Sequence, residues 1–275
     1  MCSHRDAPVF STQGGLSRLL EIMRRLRDPE SGCPWDIEQT FASIAPHTIE
    51  EAYEVADAID RQAWEELEDE LGDLLLQTVY HAVIGEEEGR FDLDSIADRA
   101  SAKMVSRHPH IFGDGPGVRD ADQQIREWES AKAAERATKG SRGALDGVTI
   151  GMPALLRALK LQKRAARVGF DWPDTISVTA KIGEEAQELT EARTSHDPAK
   201  VFEELGDLLF SVVNLARHLD IDPETALRSA NGKFTRRFQA MEARLAELGR
   251  DIQDSDPAEM DTLWNEVKVS DAAND

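Results

Sequence analysis

The sequence predicts an all-α protein built as two tandem antiparallel helical bundles, and three observations carry that expectation. Apolar residues recur at helical spacing in every long segment, strand-like alternation is nearly absent, and an acidic two-helix pattern occurs twice. In the second half the pattern is Glu184, Glu185 and Glu188 followed by Glu204 and Asp207. In the first it is Glu50, Glu51, Glu54, Glu70 and Asp73, each 134 positions before its counterpart. The hexapeptide Glu70-Leu71-Gly72-Asp73-Leu74-Leu75 returns letter for letter as Glu204 to Leu209. A duplication of this kind in 275 residues reads as two domains, 1–138 and 154–275. The linker is expected at 139–153, where four glycines and a proline gather.

The elements follow in order. Leu16, Leu19, Leu20, Met23 and Leu26 mark a first helix that should stop near Asp28-Pro29, and Ser31 to Asp36 reads as a tight loop. A helix from about Pro46 to Ile59 carries Glu50, Glu51 and Glu54 on a stripe apart from its apolar one. The next, from about Ala63 to Ile84, is expected to pack through Leu67, Leu71, Leu74, Leu75, Thr78 and Ala82, with Glu70 and Asp73 at the edge. Gly72 and Gly206 fall inside helices, where glycine costs about 1 kcal/mol relative to alanine, and a close helix approach beside the acidic residues is the expected reason. A helix over Leu93 to Arg107 precedes a break at His108-Pro109-His110 and the glycine-rich Gly113 to Gly117, and a short helix around Ile125 to Glu135 ends the first half. The second half repeats the plan with helices over Leu155 to Arg167, Val178 to Ala192, Pro198 to Leu219 and Pro223 to about Leu248.

Composition narrows the function. A formal charge of −21 argues against a nucleic-acid polymer as partner, because phosphate backbones demand basic patches. It leaves room for a small phosphorylated ligand that arrives with its own metal ion. Cys2 and Cys33 form neither a disulfide framework nor a zinc signature. The polar start, broken by Pro8, Gly14 and Gly15, lacks the apolar stretch of a signal peptide, and no run has the length of a membrane span. A cytoplasmic protein with no membrane partner is therefore expected.

Chemistry concentrates in the carboxylates. Residues three or four apart share a helix face, so Glu185 with Glu188 makes one pair and Glu204 with Asp207 another. One such motif in so acidic a chain would read as a solvated face; twin copies that keep the offset between two helices do not. Clustered carboxylates repel, and a hard divalent cation removes that cost while leaving positions for phosphate oxygens. Glu185, Glu188, Glu204 and Asp207 are thus candidate metal ligands, with Glu51, Glu54, Glu70 and Asp73 as a second set.

Cations follow each acidic set: Lys103 and Arg107 in the first half, Lys233 and Arg237 in the second, four apart on one helix face. Trp128 with Lys132 is repeated as Trp264 with Lys268, where core packing and stacking on a base both remain open. Lys181 and Asn231 stand where the first half has His47 and Ser101, which equips the second half better for an anionic nucleotide. Lys160, Lys163, Arg164 and Arg167 line one helix face and are expected to pair with acidic neighbours. Cys33 lacks a base partner, and no Walker-type or Rossmann glycine loop occurs.

Taken together, Cys33-Pro34-Trp35-Asp36, the two acidic sets, Arg107-His108-Pro109-His110, Val168-Gly169-Phe170-Asp171-Trp172 and Trp264 with Lys268 resemble the MazG-type nucleoside triphosphate pyrophosphohydrolases, of the all-α NTP pyrophosphohydrolase superfamily. The resemblance covers nearly the whole chain. It implies magnesium-dependent hydrolysis (manganese being the alternative ion) of nucleoside triphosphates between the α and β phosphates. It also implies broad tolerance of base and sugar, a homodimer, and activity lodged mainly in the second domain. On that reading Glu185, Glu188, Glu204 and Asp207 hold magnesium, and Glu184 or Glu185 handles the attacking water. Lys181, Asn231, Lys233, Arg237, Trp264 and Lys268 contact the nucleotide. A nucleotide-binding regulator without turnover is the competing class.

Overall fold

The structure, a computed structural model, describes residues 14–114, 117, 120–138 and 143–272. The expectations for residues 1–13, for Gly115 and Pro116, and for 139–142 of the linker lie outside these. Every regular element among the described residues is helical. The chain divides into two compact units, residues 1–131 and 132–275.

The first unit holds α1 (Leu16–Leu26), α2 (Pro34–Glu38), α3 (Phe41–Arg61), α4 (Trp64–Glu87), α5 (Leu93–Arg107) and α6 (Pro109–Phe112), and α7 (Ala121–Thr138) starts in it. Two of these begin where the sequence pattern did not place them. The tight loop expected through Asp36 ends instead in α2, which opens on Pro34 at a position where a missing N–H costs nothing. Helix α3 starts five residues before Pro46 because Thr40 and Ser43 cap each other reciprocally, leaving the proline inside the helix. Burial of Ile44, one turn into α3, offsets the hydrogen bond that Pro46 cannot make.

Helices α3 and α4 form an antiparallel hairpin, with α1 and α5 packed against α4. The core is Met23, Ile44, Val79, Tyr80, Val83 and Ile84, edged by Leu19, Leu20, Leu26, Phe41, Leu76 and Leu93. Burial on α4 thus lies in its C-terminal half, whereas Leu71 and Leu75, expected in the core, are exposed. The N-terminal half carries the acidic residues and packs on α3; the C-terminal half lies among α1, α3 and α5. At Gly85, inside α4, any side chain would strike the Phe91 ring 2.4 Å away, so the glycine lets Phe91 pack back onto the helix.

A lock of polar groups closes this bundle. Arg27, buried, donates to Glu87 at 2.9 and 2.7 Å and to the Asp36 carbonyl, and its guanidinium lies 5.6 Å from the Tyr80 ring centre. The Tyr80 hydroxyl donates to Asp36 Oδ1 at 2.9 Å, and burial together with that carboxylate pushes the phenol up to about 12. The Cys-Pro-Trp-Asp motif therefore anchors the loop between α1 and α3.

The second unit holds α8 (Ala154–Arg167), α9 (Thr175–Thr194), α10 (Pro198–His218), α11 (Pro223–Glu247), a 3-10 turn (Ile252–Asp254) and α12 (Pro257–Ala272). Asp174, Asp197 and Asp222 each accept backbone N–H groups at a helix start, and proline follows the latter two. Helices α9 and α10 repeat the antiparallel hairpin, α8 packs on α10 and α11, and α12 lies along α11. Met241, Leu245 and Leu263 form a core with Phe238, Ile252, Met260, Trp264 and Val267. Asp171 occupies the place of Asp36: Arg217 and His218 hold it, and the Arg217 hydrogen bonds keep its carboxyl below the usual range.

Candidate metal centre

The hairpins decide the geometry. In the second unit α9 presents Glu185 and Glu188 one turn apart, and α10 returns antiparallel to bring Glu204 across from them. One oxygen from each of the three lies within 4.8 Å of the others. Glu185 is buried, and the other two are half-buried. Burial raises the Glu188 carboxyl above its ordinary value, and the charges of Glu185 and Glu204 raise it further.

Lys181 answers part of this charge. One turn before the glutamates, its Nζ lies 2.8 Å from Glu185 Oε1 and 2.9 Å from Glu184 Oε1. These contacts raise the ammonium well above its usual range and oppose the upward shift of Glu188. Glu184 itself faces Lys181. Asp207, the fourth expected ligand, is exposed and is not among the carboxylates gathered within 4.8 Å.

The first unit builds the corresponding group from Glu51 on α3 and Glu70 and Asp73 on α4, again within 4.8 Å. Glu54 adds its charge beside Glu51 and Glu70. Burial first, then Asp73 and Glu54, raise the Glu51 carboxyl; burial first, then Glu54 and Asp73, raise that of Glu70. Among the described residues no lysine pairs with this group, and His47 reaches Glu50 at 3.5 Å instead. The expected close approach at Gly72 and Gly206 is absent: a Cβ at either glycine meets nothing within 4 Å.

One residue that touches the first group, Gln77, and one polar contact near it on α3, that of Thr48, lie outside the sequence reading. Gln77 donates from Nε2 to Glu51 Oε1 at 3.4 Å, and Thr48 Oγ1 lies 3.1 Å from His81 Nε2. Gln77 follows Asp73 by four and so shares its helix face, but spacing alone does not separate it from any other polar residue there. Their counterparts in the second half are Ser211 and Ile182.

The cationic residues have partners of their own. Arg237 donates from Nε to Asp271 Oδ2 at 2.8 Å, and Lys268 Nζ reaches Asn265 Oδ1 at 3.3 Å. Lys233 and Asn231 are exposed on α11. Trp264 lies 5.3 Å from the Phe234 ring centre and packs on the Met241–Leu245–Leu263 core. Trp128 donates from Nε1 to the Arg107 carbonyl at 3.2 Å. A cleft of about 490 Å³ opens between α11 and α12, lined by Arg236, Arg237, Arg244, Glu266 and Asp271 among others.

Three clustered carboxylate oxygens are the donor set of a hard divalent ion rather than of a soft one. The residues fit such an ion in both units.

The comparisons agree with this geometry. A family model described as the MazG nucleotide pyrophosphohydrolase domain matches residues 39–112 and again 174–241, so each match contains one acidic hairpin. The chain is 50% identical over 255 residues to a protein of Escherichia coli (strain K12) named nucleoside triphosphate pyrophosphohydrolase, covering 92% of this chain and 97% of that one. It is 43% identical over 253 residues to the nucleoside triphosphate pyrophosphohydrolase/pyrophosphatase MazG of Thermotoga maritima, covering 92% and 95%. A nucleoside triphosphate pyrophosphohydrolase of Mycobacterium tuberculosis is 32% identical over 214 residues, covering 75% and 64%. With its domain matched twice and the Escherichia coli and Thermotoga maritima relatives aligned over nearly their full lengths, the chain belongs to the MazG nucleotide pyrophosphohydrolase family.

Proposed function

We propose that this enzyme hydrolyses nucleoside triphosphates between the α and β phosphates, releasing monophosphate and pyrophosphate, with broad tolerance of the base and sugar. The observation that carries the reading is the second unit's group of Glu185, Glu188 and Glu204, with Lys181 seated on its edge. Magnesium, or manganese in its place, would be held by these three carboxylates and Asp207. Bound there, it would neutralise and polarise the phosphate oxygens.

The chain's own residues supply the remainder. Glu184 or Glu185 orients the attacking water and takes its proton as the bond from water oxygen to α-phosphorus forms. The bond from that phosphorus to the bridging oxygen breaks in line, and pyrophosphate leaves. Lys181 is released from Glu184 and Glu185 when their charge is otherwise compensated, and then serves the triphosphate. Lys233 and Arg237 offset the charge on the leaving pyrophosphate. Asn231, Trp264 and Lys268 contact the nucleoside, with Trp264 held in place by Phe234. The reading extends to a homodimer: Phe202, Leu205, Leu209 and Val212 form an exposed stripe along α10 at a spacing that a second copy would cover.

Product analysis with a panel of nucleoside triphosphates, with magnesium and then with EDTA, tests this directly. Monophosphate plus pyrophosphate, lost in EDTA, is the expected result. Diphosphate plus phosphate would place attack at the terminal phosphorus and overturn the assignment. Binding without turnover would make the protein a nucleotide sensor.

A further inference from the structure

Helix α12 carries an acid whose part in the site has not been assigned. Trp264, Lys268 and Asp271 follow one another at i, i+4 and i+7 and so share one face of the helix. The same spacing occurs in the first half as Trp128, Lys132 and Glu135, so the acid returns with the tryptophan and the lysine before it. In the second unit Asp271 reaches across to α11, where Arg237 donates from Nε to its Oδ2 at 2.8 Å. The two side chains are only 19% and 24% exposed. Arg244, which lines the same cleft, instead reaches Glu247 on its own helix, with both side chains in solvent, where a pair fixes little.

The contact engages one edge of the guanidinium. Nε is taken, and the two Nη groups have no hydrogen-bond partner among the described residues. The five N–H donors of an arginine lie in one rigid plane, so a carboxylate that fixes Nε limits the directions of the other four. A carboxylate seated on both Nη groups would compete with a phosphate; one seated on Nε leaves that edge open.

We propose that Asp271 is a positioning residue for the hydrolysis, holding Arg237 by Nε so that its Nη edge is ready for the leaving pyrophosphate. This rests on the reading of Arg237 as the residue that offsets charge on that group. An unrestrained arginine loses rotamer freedom when it engages an anion, and ordering it beforehand removes that cost from the reaction. Negative charge grows on the bridging oxygen as the bond to phosphorus breaks. An arginine set in advance therefore acts more on the transition state than on the bound substrate, and its loss falls on kcat rather than on KM.

The test measures kcat and KM of the full-length chain with ATP and magnesium. Asp271→Ala should lower kcat about 10- to 100-fold while KM stays within about threefold of wild type. Asp271→Asn keeps an oxygen that can accept from Nε and should recover most of that loss. In an Arg237→Ala background, adding Asp271→Ala should change kcat by less than about twofold, because nothing is left to position. A purely structural role at the α11–α12 contact gives a lower melting temperature with the same fractional loss of kcat in both backgrounds, and that result would overturn the proposal. So would an Asp271→Ala protein that turns over as fast as wild type or faster, the latter making Asp271 a competitor for Arg237. The single variant Arg237→Ala keeps the two readings apart. If it is slow while Asp271→Ala is not, only this proposal falls; if it matches wild type, the leaving-group role of Arg237 falls and takes the proposal with it.

Discussion

The two acidic groups are set by the same helix pair and differ in what answers their charge. In the second unit Lys181 makes two short ion pairs, with Glu185 and Glu184, so the buried glutamate has a cation on it before any ligand arrives. In the first unit His47 reaches only the outer Glu50, and Glu51, Glu54 and Glu70 lie against one another above a neutral amide. Helical spacing brings one glutamate from each helix together in both copies, Glu51 with Glu70 and Glu185 with Glu204, while the third member differs, Asp73 in one and Glu188 in the other. Charge compensation hangs on one residue a turn earlier, and a single substitution there divides the copies. One group carries an ammonium on its buried glutamate; among the described residues the other has none.

The hardest way to break this contrast is to remove one carboxylate from each group. Glu188→Ala should lower the rate of pyrophosphate release on the order of a hundredfold or more, the usual cost of losing a group that holds charge in the transition state. Its counterpart Glu54→Ala should cost at least about tenfold less. Equal losses would mean that both units turn over substrate, and a rate for Glu188→Ala near that of wild type, with the fold intact, would remove the metal assignment altogether.

A smaller effect sharpens the same point through stability. Lys181→Met leaves Glu185 buried without its ammonium, and the second unit should melt about 2–4 °C lower in EDTA, as expected for a partly exposed ion pair. Excess magnesium should remove most of that difference, because the ion then compensates the same charge. The converse change, His47→Lys, should raise the metal-free melting temperature by placing an ammonium one turn before Glu50 and Glu51. A Lys181→Met protein as stable in EDTA as the parent would show that the pair contributes nothing.

Much of this was legible in the sequence, and the losses have physical causes. Helical periodicity and the repeat gave the α3–α4 and α9–α10 hairpins, and identical offsets implied that Glu51 meets Glu70 and Asp73, as it does. Glu185, Glu188 and Glu204 likewise meet, but Asp207 stands outside, since spacing along α10 says nothing about its rotation against α9. The first turn of α3 was missed because proline is read as a helix start, while the Thr40–Ser43 cap and the burial of Ile44 decide otherwise. Leu71 and Leu75 look like core from their spacing and are exposed, because among the described residues the buried cluster gathers around the C-terminal half of α4. Gln77 went unnoticed for another reason: a buried glutamine has no sequence signature, and only its contact with Glu51 gives it meaning.

The smallest expected effect concerns pH. Burial and like charges hold Glu51 and Glu70 in the first unit, and Glu188 in the second, above their ordinary value of 4.5. A group whose folded value is raised contributes stability that is complete below its unfolded value and disappears as pH climbs through the folded one. Without metal, the protein should therefore lose melting temperature as pH rises above about 4.5. Carboxylates held low by partners, such as Asp171 and Glu66, act in the opposite sense below their own ordinary values and do not enter that window. On the proposed reading magnesium would bind the ionised carboxylates, so its stabilisation should be slight near pH 4.5 and larger near about pH 7.5. The units should separate within this trend. Two raised groups stand without a counter-charge in the first, and Lys181 opposes the shift in the second, so Glu70→Gln should flatten the metal-free slope more than Glu188→Gln. Scanning calorimetry in EDTA and in magnesium across that range would decide it: equal slopes for the two variants would show that Lys181 does not distinguish the copies, and a magnesium gain independent of pH would mean that these carboxylates do not take the ion.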